Sequence, residues 1–402
     1  MKLFGKILIF VFLNLFLTTP LFAWSRATHE HLIQESLKEV SKGWGLNRSL
    51  TVTSFQSFLE KLAKVRPDIR SRDNFAKWLQ INPESFFDRP KNPETIGKIT
   101  TPYAILSLYA MRPDDGRDTL LPYDKMDQFW FGSGTKMNSQ AFRHMEKTPF
   151  DPLHPLNTFG FPLGETGQAS DRAQIYFDLA LLAYRLHEPY WAWNFLGCAF
   201  HYIEDLSQPY HSAQLLTPLA FNGINAYFDW GWKTKKGLIK TVTQVAANLH
   251  HYFENYVEDL LFSKEPMSQL WNEALRGKDM FATVSSIEAL AKEVRNASNR
   301  YAYDAVVATL KLSGKNLLGP RAYLVGDEEE GKEAESPSPY FNANGQERSE
   351  AASEISKIVV AVFKVEGQAV RTTVQQFLKE AQHVQEEKGR EEKAPQEKGK
   401  ES

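Results

Sequence analysis

From residue 24 onward, apolar residues recur at the three-and-four spacing of a helix and nowhere alternate as a half-buried strand does. Leu32, Ile33, Leu37 and Val40 mark a helix over residues 29–42. Residues 44–100 carry shorter helical pieces interrupted by Pro67, Pro83 and Pro90, since proline lacks a backbone donor and disfavours helix just before it. Another apolar helix covers 102–112. Two strongly apolar helices are predicted over 168–187 and 190–206, joined by a tight turn at His187-Glu188-Pro189. A long helix spans 238–262, one or two more lie within 282–313, and an amphipathic helix covers 351–380. Residues 113–165 concentrate proline, glycine, aspartate and aromatics and read as long ordered loops. The expected fold is therefore all-α: a single large multi-helix domain over residues 24–385.

The two ends differ from this body. Lys2 and Lys6 precede an apolar run at residues 7–17, and Leu21-Phe22-Ala23 closes on a small residue. This is the pattern of a signal peptide cleaved before Trp24. The run is too short to span a bilayer comfortably, and no later stretch is long enough to span one. The expected location is secreted or periplasmic. Residues 327–350, with Asp327, Glu328, Glu329 and Glu330 followed by Pro337 and Pro339, read as a solvated loop. The Glu- and Lys-rich tail from Glu386 to Ser402 is expected to be disordered.

Charge and cysteine content narrow the chemistry. The formal net charge over 402 residues is −2, which gives no general attraction to nucleic acid or anionic membrane. Cys198 is the single cysteine, so an internal disulfide or a cysteine zinc site is excluded. Any metal must be held by histidine, carboxylate or backbone.

The chain has ten histidines. His201 and Asp205 stand four apart at the end of the apolar helix, one above the other on a helical face. His211 follows after a short turn. His250 and Glu254 repeat the four-residue spacing, while the adjacent His251 faces elsewhere. Such His–carboxylate sets suit zinc, although an isolated pair of this kind is also how a buried hydrogen bond or a solvated face looks.

The segment Phe195-Leu196-Gly197-Cys198-Ala199-Phe200-His201-Tyr202-Ile203-Glu204-Asp205, ending at Pro209-Tyr210-His211, resembles the signature of the bacterial zinc-dependent phospholipases C. The segment from His250 to Asp259 (HHYFENYVED) resembles a later segment of that family, and the Ala-rich stretch 168–187 resembles the helix before the signature. In pieces, the resemblance covers residues 24–31 and 105–260. It implies three zinc ions. Asp114, His144, His201 and Asp205 would hold one; His211, His250 and Glu254 a second; and Trp24, through its freed amine and carbonyl, with His29 and a bridging Asp205, the third. A neutral α-amine, with an ordinary pKa near ~8, is a sound nitrogen ligand, and it exists only after cleavage.

Several positions have competitors: His31 for His29, Asp115 or Asp68 for Asp114, and His154 for His144. Between His211 and His250 lies an insertion containing Asn225 and Asp229, four apart, which could displace His250 and Glu254. Its aromatics Tyr227, Phe228, Trp230 and Trp232 could pack the core or touch a membrane.

The resemblance implies a phospholipase C acting on phospholipid at a membrane surface, with Asp114 as general base or as the group that orients the attacking water. A monomer with no nucleic-acid partner is expected. The alternatives are a single-strand-specific zinc nuclease, which shares the ligand frame, and an inactive binding protein on the same scaffold. Glu254 and the lack of cysteine pairs favour the lipase.

Overall fold

A computed structural model describes residues 24–81, 95–115, 143–148, 166–213, 235–313 and 346–398. The signal segment, His154, the insertion with Asn225 and Asp229 and its aromatics, and the acidic run 327–330 lie outside the described residues.

Among the described residues the fold is helical, as the periodicity predicts, with two short antiparallel strand pairs. The helices are α1 Arg26–Leu37, α2 Phe55–Val65, α3 Arg72–Leu79, α4 Pro102–Ala110, α5 Ala169–Arg185, α6 Pro189–Ser207, α7 Pro209–Ser212, α8 Lys235–Leu261, α9 Pro266–Leu275, α10 Ile287–Asn299, α11 Ala302–Ser313 and α12 Gln346–Lys398. Leu50–Thr51 pairs with Ile99–Thr100, and Glu146–Lys147 with Thr166–Gly167.

Helix α6 is the axis of the molecule. Every residue from Tyr190 to Ser207 is buried, so it needs partners all round: α5 and α4 on two sides, α10 and α12 on others. The entry to α6 is set locally. His187 takes the left-handed conformation (φ 56°). The amide of Glu188 then reaches the carbonyl of Ala183 and that of His187 reaches Tyr184, both at 3.0 Å, closing α5 with a Schellman turn. Pro189, whose missing donor costs nothing there, opens α6.

Two apolar clusters flank α6. One gathers α2, α3, α4, α5 and α6 around Phe58, Phe75, Tyr176 and Phe195. The other gathers α8, α9 and α11 around Trp24, Phe253, Trp271 and Phe363. Helix α12 supplies both: Ile355, Val359 and Phe363 to the second, Ala369, Val374 and Phe377 to the first. Arg371 fastens it, donating to the carbonyls of Leu275 (2.6 Å), Ser36 (3.0 Å) and Asp279 (3.0 Å). At Gly367 the helices come so close that an added Cβ would sit 2.2 Å from the Leu275 carbonyl.

Two elements differ from the sequence expectation. Helix α12 continues to Lys398, past Glu386, where composition predicts disorder. Its tail is rich in Glu, Lys, Gln and Arg, which are good helix formers and extend an existing helix easily. Helix α9 is not among the predicted elements, because its ten residues bury only Ser268, Trp271 and Leu275 and give little periodic signal.

Gly197, in the middle of α6, allows α4 to cross closely: a Cβ there would lie 2.8 Å from Tyr109 Cβ and 3.0 Å from the Leu106 carbonyl. Gly197→Ala is expected to lower stability by about 1–3 kcal/mol, despite the better helix propensity of alanine. Urea unfolding measures this; an unchanged midpoint would show that α4 can shift freely.

Candidate metal centre

The centre forms where α6 ends. His201 and Asp205 occupy one face of its last two turns, with His201 Nε2 3.3 Å from Asp205 Oδ2. His201 Nδ1 lies 2.6 Å from the carbonyl of Ala110, one of the C-terminal carbonyls that α4 leaves without a helical partner. That bond places the Nδ1 hydrogen and turns the Nε2 lone pair inward. After α4, a 3-10 turn at Pro113–Asp115 brings Asp114 into the same space. His144 arrives from the short described segment 143–148, anchored downstream by Glu146, which accepts from Arg295 and Ser170.

His144 Nδ1, His201 Nε2, Asp205 Oδ2 and Asp114 Oδ1 converge. Their separations are 2.7 Å between the two imidazoles, 3.1 and 3.3 Å from these to Asp205, and 3.4 and 3.5 Å to Asp114. The vertices of a tetrahedron about an ion bonded at about 2.0–2.1 Å stand roughly 3.3 Å apart. A second group shares the two carboxylates: His29 Nε2 lies 3.6 Å from Asp114 Oδ2 and 3.5 Å from Asp205 Oδ1. Each aspartate thus turns one oxygen to each group. For Asp205 this is the bridging expected of it; Asp114, expected in one group only, faces both. The third group is His211 on α7 with His250 and Glu254 on α8, where His250 Nε2 stands 3.0 Å from Glu254 Oε1.

The outer partners are consistent with ligation. His211 Nδ1 lies 2.5 Å from the His144 carbonyl, and His29 Nδ1 lies 2.6 Å from Glu204 Oε2. As with His201, each leaves Nε2 as the inward atom, the usual arrangement of a metal-bound imidazole. His29 Nε2 and both Asp205 oxygens are buried and have no hydrogen-bond partner among the described residues. Polar atoms so placed are costly unless something else binds them, and an ion would.

Electrostatics agree. Burial, then the neighbouring His201, hold the pKa values of His29 and His144 well below the ordinary imidazole value, so both are neutral and able to bind a cation. Burial, then Asp114, push Asp205 and Glu254 well above the ordinary carboxylate range.

Trp24 is wholly buried beside this centre. Its indole N–H reaches the Glu204 carbonyl (3.1 Å) and Ser207 Oγ (3.3 Å), and its ring packs on Phe253 and Phe363. The structure therefore brings the side chains of eight of the nine predicted ligands into three groups and seats the ninth next to them.

Of the competitors, Asp68 and His31 stand apart from the centre, while the Asp115 side chain lies outside the described residues. Asp68 is exposed and pairs with Arg66. His31 pairs with Asn272 at 2.7 Å and packs on Phe262. His251 is partly exposed, 3.5 Å from Glu254. Three contributors were not anticipated. Glu204, which holds His29, was readable as a second carboxylate in an apolar helix. Gln208, 3.5 Å from Glu254 Oε1, and Glu366, on α12, carry no motif.

Fold and site define a helical protein with buried His–carboxylate groups able to hold metal. No family model, curated protein or solved structure matches the chain.

Because burial raises the proton affinity of Asp205 and Glu254 in the ion-free protein, and they ligate as anions, a bound divalent ion should expel protons. Apparent affinity should rise with pH as these carboxyls ionise. Calorimetric titration in two buffers of different ionisation enthalpy reads the proton release; heats independent of buffer would refute the charge states assigned to these carboxyls.

Proposed function

We propose that this protein is a secreted zinc-dependent phosphodiesterase, a phospholipase C that releases diacylglycerol and a phosphorylated head group. The observation that carries the reading is the pair Asp114 and Asp205, each with one oxygen toward His29 and the other toward His144 and His201. Two ion positions sharing carboxylates, with a third group from His211, His250 and Glu254 nearby, suit a phosphodiester, whose charge and leaving oxygen need several positive partners. Zinc bound there would neutralise the phosphate and lower the pKa of water at the site.

The chain's own residues have separable roles. His29 and His144 bind through nitrogens held neutral by burial, and His201 binds beside them. Ala110, Glu204 and the His144 carbonyl hold the imidazoles in orientation. Asp114, on its short turn, is placed to orient a water between the two groups or to accept its proton. The amine of Trp24, freed by cleavage after Ala23, would complete the His29 group; its burial beside Glu204 and Ser207 supports this. No helix among the described residues is long and apolar enough to cross a membrane, consistent with an enzyme that meets its lipid from outside.

Two experiments test the reading. Protein beginning at Trp24 is assayed for zinc content and for hydrolysis of phosphatidylcholine, phosphatidylethanolamine and single-stranded DNA. Release of a phosphorylated head group is expected, falling to background in His201→Ala and Asp205→Ala. Cleavage of DNA alone would identify a nuclease, and a protein that binds no zinc would be a binding protein on this scaffold. In the second, a short extension before Trp24 should empty the His29 group and largely abolish turnover, because an amide nitrogen has its lone pair delocalised into the carbonyl. Equal zinc and activity would remove Trp24 from the site.

A further inference from the structure

Behind His29 lies a buried carboxyl for which the proposed chemistry has no use. Glu366 is fully buried on α12, between Phe363, which packs on Trp24, and Gly367, which meets α9. Its partner is Ser207, whose Oγ is 2.7 Å from Glu366 Oε2, 2.7 Å from the Glu204 carbonyl and 3.3 Å from Trp24 Nε1.

Counting hydrogens decides how these groups are joined. An indole N–H only donates, a carbonyl only accepts, and a hydroxyl has one hydrogen to give. Ser207 accepts from Trp24, whose indole N–H is shared with the Glu204 carbonyl at 3.1 Å. Its single hydrogen can go to Glu204 or to Glu366. If Glu366 were ionised and took it, Ser207 Oγ and the Glu204 carbonyl would face each other at 2.7 Å with no hydrogen between them. A proton on Glu366 removes the conflict: Glu366 donates to Ser207, and Ser207 donates to Glu204.

We propose that Glu366 is a positioning residue for the centre: as a neutral carboxylic acid it donates through Ser207 to the backbone of Glu204, fixing the last turn of α6 against Trp24 and so setting the Glu204 side chain on His29. Burial, against a smaller opposing pull from the Ser207 hydrogen bond, pushes its pKa up to about 8, in keeping with the donor role. The chain Glu366–Ser207–Glu204–His29 couples α12, which belongs to both apolar clusters, to the group of ligands shared by Asp114 and Asp205. This rests on the proposed function only where metal is counted; the hydrogen-bond relay stands apart from it.

Three measurements test the relay. Glu366→Gln keeps a donor without charge, whereas Glu366→Leu keeps bulk without a donor. In ¹⁵N spectra of the metal-free protein, the Trp24 indole signal, assigned with Trp24→Phe, should stay in place in Glu366→Gln and move in Glu366→Leu. Zinc per chain should be unchanged in the first and lack the ion of the His29 group in the second. At neutral pH, the infrared difference between wild type and Glu366→Gln should show loss of a protonated-carboxyl band. Loss of a carboxylate band instead, a Gln variant that behaves like Leu, or a Leu variant that changes nothing would each overturn the proposal. Should Glu366→Leu fail to fold, the infrared comparison still decides. A wild type that binds no zinc would defeat the functional reading, while the indole and infrared results would still judge the relay.

Discussion

Asp205 sits with no exposed surface at the end of a helix whose every side is packed, and both its oxygens face donor atoms of other segments. A carboxylate buried in this way is strongly disfavoured as an anion unless positive charge comes to it. Around it lie Asp114, Glu204 and Glu254, also buried, and five buried histidines, of which burial holds His29 and His144 well below the ordinary imidazole pKa. The protein concentrates carboxyl groups there without an arginine or lysine among the converging atoms. A cation answers that arrangement, and the rest of the fold can be understood as the means of holding these groups together.

That holding is done largely by backbone carbonyls. The end of α4 leaves the Ala110 carbonyl for His201, and the irregular segment at 143–145 offers the His144 carbonyl to His211. Groups that helices and loops would otherwise have to expose are used to fix imidazole tautomers. The His201 and His211 rings are thereby oriented by different segments, so the groups depend on the packing of α4, α6 and α7 as a unit and not on any one helix.

The architecture places this polar centre at the seam of two apolar clusters. Trp24 and Phe253 wall it on one side, Tyr176 and Tyr202 on the other. Helix α12 runs along both, and Arg371 ties it to α1 and α9. The long C-terminal helix is thus part of the frame that positions His29, although it contributes no ligand.

Beyond the five ligand positions that the resemblance implied, the sequence by itself determined the helical class and the pairings of His201 with Asp205 and of His250 with Glu254. These are local properties: a period of 3.6 residues places i and i+4 together whatever the surroundings. The turn at His187-Glu188-Pro189 was legible for the same reason. Only tertiary structure could choose His29 over His31 or Asp114 over Asp68. The members of each pair differ in where their segments dock, and local pattern does not encode docking. Nor could sequence show that Asp114 faces two groups, since that follows from how the turn after α4 crosses the end of α6. Glu366 was the least legible: it lies 159 residues from its partner Ser207, in a helix that reads as ordinary amphipathic surface. Its role arises because α12 packs there and leaves a carboxyl with nowhere to go but Ser207.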